Sequence, residues 1–206
     1  MTITPTVKQL LIINVLFFIG SQYLGEITYN YFALFSFESP NFKIYQLLTH
    51  MFMHGSISHI AFNMFALYSF GSTLESFWGS KKFLFFYISC GLGAAVINNL
   101  VNQYFLLDII SVAVGASGAI YGLLVAFAFM FPSAELAMMF IPVPIKAKYF
   151  VPGIIAIDLF LGLKGSSIFS GGTGVAHFAH IGGALVGFLM MWYWKKNQFD
   201  KNRWDK

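Results

Sequence analysis

Apolar residues dominate this chain in long runs that neither the period of an amphipathic helix nor the alternation of a half-buried strand interrupts. Six such runs have membrane-spanning length, at about residues 7–25, 57–77, 82–103, 113–131, 148–164 and 174–194. They predict an all-α membrane protein, a bundle of six transmembrane helices filling residues 1–206 as a single domain. The first run has one nearby lysine, Lys8, and no convincing cleavage site, so it is read as a retained helix. The connection over 26–56 is long for a helix hairpin yet rich in Phe, Tyr, Leu and Met, which predicts a first loop partly embedded in the outer interface. The connection near 131–147, with Pro132, Pro142 and Pro144, reads as a cytoplasmic loop. The Gly/Ser-rich stretch 164–173 reads as a mobile outer gate that opens together with the outer end of the fifth span.

Composition sharpens the class. The chain is 58% hydrophobic and only 10% charged, against about 25% charged in an average soluble domain. Ten of the twelve Lys and Arg fall on one side if both termini are cytoplasmic, leaving Lys43 and Lys164 outside. The net charge of +4 is then topology and lipid contact, with no cluster that points to nucleic acid. Cys90 is the single cysteine, which excludes an internal disulfide, and it reads as a small packed core residue.

Polar residues inside the runs carry the candidate chemistry, since polar groups in a bilayer are costly. With that topology, spans two, four and six all start at the outer face. Their beginnings hold His59 with Asn63, Ser117, and His177 with His180. Ser117 lies in Gly115-Ala116-Ser117-Gly118, where small neighbours leave room for a substrate carbonyl, and Tyr121 shares its helical face. His180 precedes Gly182 and Gly183. The pairs Gly118/Gly122 and Gly183/Gly187 permit close helix approach, which would bring the Ser117 hydroxyl to His180 as nucleophile and general base. Both His59 and Asn63, one turn apart, can donate to an oxyanion. No carboxylate is evidently placed to orient His180, so a dyad is expected. Asp158 is the one candidate third member, with a structural interhelical bond as its expected role. Glu75 is expected to bond local backbone or polar groups. The histidines at 50, 54 and 59, and His177, raise a metal reading, but carboxylate and thiolate ligands at metal spacing are missing. No metal and no cofactor are expected.

These elements in order resemble the rhomboid family of intramembrane serine proteases: His54-x4-His59-x3-Asn63, Gly115-Ala116-Ser117-Gly118 with Tyr121, and Ala179-His180-Ile181-Gly182-Gly183. The resemblance implies the six-span bacterial form of the fold, with Ser117 as nucleophile and His180 as base. It also implies oxyanion stabilisation by His59, Asn63 and backbone N–H groups, a first loop organised by His54, and a structural glutamate at Glu75. Many members carry Trp-Arg where this chain has Tyr45-Gln46, so loop details differ. The expected partners are the lipid bilayer and single-span membrane protein substrates cut near the outer face. The expected location is a bacterial inner membrane. Two rivals stand beside this reading: a rhomboid-like pseudoprotease that binds membrane clients without cutting them, and a histidine-based carrier, for which no broken-helix pair is apparent.

Overall fold

The computed structural model describes residues 2–106, 111–138, 141–164 and 177–196. Residues 165–173 of the stretch read as a gate, the first residues of the run at 174–194, and Lys201, Arg203 and Lys206 lie outside them.

Helix α1 (Pro5–Leu24) opens with proline in its first turn, where the missing N–H costs nothing. Helix α2 (Glu26–Phe32), strand β1 (Leu34–Phe35), helix α3 (Gln46–Thr49) and a 3-10 turn (His50–Phe52) make up the first loop. Helix α4 (Ile57–Ala66) is capped by the Ser56 hydroxyl, which accepts from the His59 N–H, and it passes through a π turn (Leu67–Gly71) into α5 (Ser72–Trp78). Gly79, at φ 76°, reverses the chain into α6 (Ser80–Val101). Strand β2 (Val112–Ala113) precedes α7 (Ser117–Met130). Strands β3 (Glu135–Met138) and β4 (Ile141–Lys146) lead to α8 (Ala147–Lys164), and α9 (His177–Trp194) closes the bundle. Among the described residues, Pro5–Leu24 and the continuous helix Ser80–Leu106 are long and apolar enough to cross a membrane. Large apolar side chains such as Leu16, Phe85, Phe105, Phe188 and Trp192 are exposed around the outside, a surface suited to lipid.

Helices α6, α7 and α9 form the centre, with α8 flanking α7 and α9, and α1 lying against the α4–α5 segment. The Gly-Gly pair in α9 explains the tight centre. A Cβ added at Gly182 would stand 2.9 Å from Cβ of Ile97 on α6, and one at Gly183 would run into the Gly118 carbonyl of α7. Consecutive helical residues point about 100° apart, so one pair of glycines serves two neighbours. Gly187 repeats the contact one turn on, against Gly122, and Cys90 fills the space beside Gly122. The expected packing of Gly118/Gly122 on Gly183/Gly187 is thus present, and Cys90 is fully buried in the core.

Two expectations change. The 131–147 connection is an antiparallel hairpin, with Glu135 opposite Lys146 and Leu136 opposite Ile145. Its prolines are tolerated because β4 lies at an edge, where every second N–H faces away from the partner strand, and Pro142 and Pro144 are two apart. The fourth apolar run does not become helical at 113. Residues 112–113 pair with Leu34–Phe35, and Gly115 adopts φ 124°, so the helix begins at Ser117 itself.

Glu75 is structural, but its partners are mostly distant. Its carboxylate accepts from the N–H groups of Thr6 and Val7 at 2.9 Å, from the Thr4 hydroxyl, and from Ser80 at 2.6 Å. The orphan donors at the start of α1 are satisfied from α5. Only Ser80 is local.

Candidate active site

Ser117 occupies the first position of α7, at a helix start whose leading N–H groups have no intrahelical acceptor. The approach to it is held by the first loop, since the Gly115 N–H donates to the His50 carbonyl at 2.8 Å. On the far side of the α7–α9 seam, His180 Nε2 lies 2.7 Å from Ser117 Oγ. The Tyr121 ring stacks on His180 with centroids 4.3 Å apart and planes within 10°. The structure therefore brings Ser117, His180 and Tyr121 together as the helical spacing predicts.

His59 comes in from α4. A Cβ on Gly115 would be 2.8 Å from His59 Nε2 and 3.6 Å from Ser117 Oγ, so only glycine lets the ring lie against this backbone. Asn63, one turn on, is buried, and its amide nitrogen has no hydrogen-bond partner among the described residues. A buried donor without an acceptor is costly, which makes Asn63 a group held ready for one. His54 is fully buried, its ring centroid 5.0 Å from that of His59. Burial, and then the neighbouring His59, push His54 down to about 3, so it is a neutral ring at ordinary pH.

The expectation that no carboxylate is placed to orient His180 requires correction. Asp158 of α8 is buried and bonds the candidate base directly, with Oδ2 2.6 Å from His180 Nδ1 and Oδ1 2.7 Å from His177 Nδ1. The bond is interhelical, as expected of Asp158, but its partner is His180 rather than unrelated structure. An acid on one helix and a histidine 22 residues later on another gave no spacing by which to see this. The available signal was an ionisable residue in an apolar run.

Gln46 and His50 were also missed as organisers. Gln46 is fully buried, accepts from the Lys43 N–H at 3.1 Å, and donates to the carbonyls of Asn41 at 3.1 Å and Tyr31 at 3.3 Å. It ties the loop together at one of the two positions where the chain departs from Trp-Arg. The His50 Nδ1–H donates to the Gln46 carbonyl at 2.9 Å, and burial pushes His50 down to about 4. Hydrogen bonding within the loop therefore rests on Gln46 and His50.

Among the described residues, one grouping places three metal-ligand atoms within 4.8 Å: Asp158, His177 and His180. Both carboxylate oxygens there are engaged by imidazole nitrogens. His50, His54 and His59 form no such grouping among the described residues.

Residues 41–197 match the Rhomboid domain. The chain belongs to the rhomboid family. It is 30% identical over 145 residues to Rhomboid protein 1, mitochondrial, of Saccharomyces cerevisiae, covering 70% of this chain and 40% of that one. With the human Presenilin-associated rhomboid-like protein, mitochondrial, it shares 34% over 150 residues, which is 71% of this chain and 36% of the relative. Rhomboid-like protease 3 of Toxoplasma gondii is 27% identical over 164 residues, covering 80% and 57%. The chain thus spans between 36% and 57% of the length of these relatives. Membership makes this rhomboid chain a membrane protein.

Proposed function

We propose that this rhomboid chain is an intramembrane serine endopeptidase that cuts transmembrane segments of single-span proteins near the outer face. The 2.7 Å contact between Ser117 Oγ and His180 Nε2 carries this reading, because it sets a hydroxyl proton on a nitrogen able to take it. Ser117 Oγ attacks the scissile carbonyl carbon as its proton passes to Nε2. The oxyanion gathers at the start of α7, with backbone N–H groups, Asn63 Nδ2 and His59 as its donors. Collapse expels the amine, which takes the proton from His180. Water, activated by the same imidazole, then hydrolyses the acyl-enzyme. No cofactor takes part in these steps.

We further read residues 1–206 as one domain crossing an inner membrane six times, with both termini cytoplasmic, on the distribution of Lys and Arg. The mitochondrial names among the relatives belong to those proteins. Cysteine accessibility at positions 8, 43 and 195 tests the topology, and membrane fractionation tests the location. Labelling of the membrane-embedded protein by a fluorophosphonate, lost in Ser117→Ala, tests the enzyme. A wild-type protein that is never labelled and binds membrane clients uncut would establish the pseudoprotease instead.

A further inference from the structure

A histidine can serve Ser117 as a base only in one tautomer. For Nε2 to accept the hydroxyl proton it must be bare, and the neutral ring then carries its hydrogen on Nδ1. Nothing about the Ser117 contact enforces that choice. The other edge of the ring does: Nδ1 of His180 faces Asp158 Oδ2 at 2.6 Å, and an ionised carboxylate only accepts.

Asp158 is itself held from a second direction. Its Oδ1 takes the Nδ1–H of His177 at 2.7 Å, one helical turn before His180 on α9. The Tyr121 ring, from α7, stacks on His180 itself, with centroids 4.3 Å apart. The carboxylate is buried, as are both histidines. An acid so enclosed and so aimed has a defined orientation, and it transmits that orientation to the ring.

Resting on the protease reading above, we infer that Asp158 is a positioning residue, which fixes the His180 tautomer and ring plane, with His177 holding its second oxygen. The hydroxyl proton moves from Ser117 Oγ to His180 Nε2 and on to the leaving amine. Asp158 keeps its charge throughout. Its second contribution is electrostatic: the imidazolium formed in a buried site is opposed by a fixed negative charge at 2.6 Å. The reactive machinery is then a chain of Ser117, His180 and Asp158 drawn from three helices.

The test uses the full-length protein in detergent micelles. Fluorophosphonate labelling rates, kcat and KM on one transmembrane substrate, and thermal melting are measured for wild type and Asp158→Asn. The amide keeps the shape but can present a donor to Nδ1 and favour the wrong tautomer. The expected result is a loss in kcat of ~10²–10⁴-fold with KM and melting essentially unchanged; about 10⁴ was lost by the equivalent change in an unrelated serine protease. Labelling slows in parallel. Wild type labelled at Ser117, with Asp158→Asn labelled just as fast, overturns the positioning role and leaves the protease reading intact. Wild type unlabelled and inactive overturns both. If kcat falls only in proportion to melting, Asp158 is structural and the inference fails. Should Asp158→Asn not fold, 15N-histidine spectra of wild type decide. A downfield Nδ1–H signal assigned through its loss in His180→Ala supports the inference, and an Nε2–H tautomer of His180 overturns it.

Discussion

The two hydrogen bonds of His180 lead into two differently built walls. Toward Ser117 lies the α7–α9 seam, where Gly118, Gly122, Gly183 and Gly187 leave backbone against backbone and an added Cβ meets main-chain atoms. Toward Asp158 lies α8, which carries Pro152 within its length, exposes Ile157, Leu159 and Phe160, and has open space beside Gly153. The first wall has no slack, because main-chain atoms cannot move aside as the ends of side chains can. The second is joined to the site through side chains. The contrast teaches how the two contacts are built: the Ser117–His180 distance rests on backbone packing, and the far edge of the His180 ring meets a polar contact from a flanking helix.

The sharpest way to break this comparison is at its two ends. Ser117→Ala and His180→Ala should each reduce cleavage by ~10⁴–10⁶-fold, and the double variant should be hardly worse, because residues acting as a unit lose their effect together. Cleavage rates of purified single and double variants check this; losses that multiply would separate the pair. Asn63→Ala comes next. It should cost about 3–4 kcal/mol of transition-state stabilisation, seen in kcat, as a single oxyanion donor does elsewhere. A change confined to KM would remove Asn63 from the oxyanion hole.

The same chemical change applied to both walls sharpens the contrast further. Gly183→Ala should destabilise by about 1–3 kcal/mol through overpacking and depress activity by spreading α7 from α9. Gly153→Ala, where the new methyl meets nothing within 4 Å, should leave activity alone and add about 0.5–1 kcal/mol of helix stability. Unfolding in SDS titration, paired with cleavage, reads both. The last effect, seen only in acid, belongs to the first loop. His50 and His54 fall from 6.5 to about 4 and about 3 on burial, so the folded loop binds fewer protons than the unfolded chain. Their contribution is complete above pH 6.5 and is lost as pH falls from there through about 4 and then about 3. Hydrogen exchange over residues 26–56 should quicken across that window, and His50→Gln should blunt the change.

Much of the molecule was legible from residues alone because its signals are local. The apolar runs anticipated the long helices within a few residues. The glycines four apart anticipated the seam, and the Gly-x-Ser-Gly and His-x-Gly-Gly settings anticipated the Ser117–His180 meeting. Elsewhere a stronger distant interaction overrode the local pattern. The prolines of 131–147 spoke for a loop, yet cross-strand pairing of Glu135 with Lys146 made a hairpin. Apolar residues 113–116 continued the helical run, yet pairing with Leu34–Phe35 and the positive φ of Gly115 delayed α7 to Ser117.

What the sequence by itself determined is the set of apolar lengths, the small residues that permit close approach, and the inventory of groups able to attack, accept and donate. Those follow from side-chain volume and hydration, which each residue carries with it. Only the tertiary structure decided which groups meet. Glu75 reaching the start of α1, Gln46 gathering the carbonyls of the first loop, and Asp158 choosing His180 all join residues on separate segments. A hydrogen bond needs its two atoms within about 3 Å and aligned, and for partners on separate segments that condition is met only when the segments have packed.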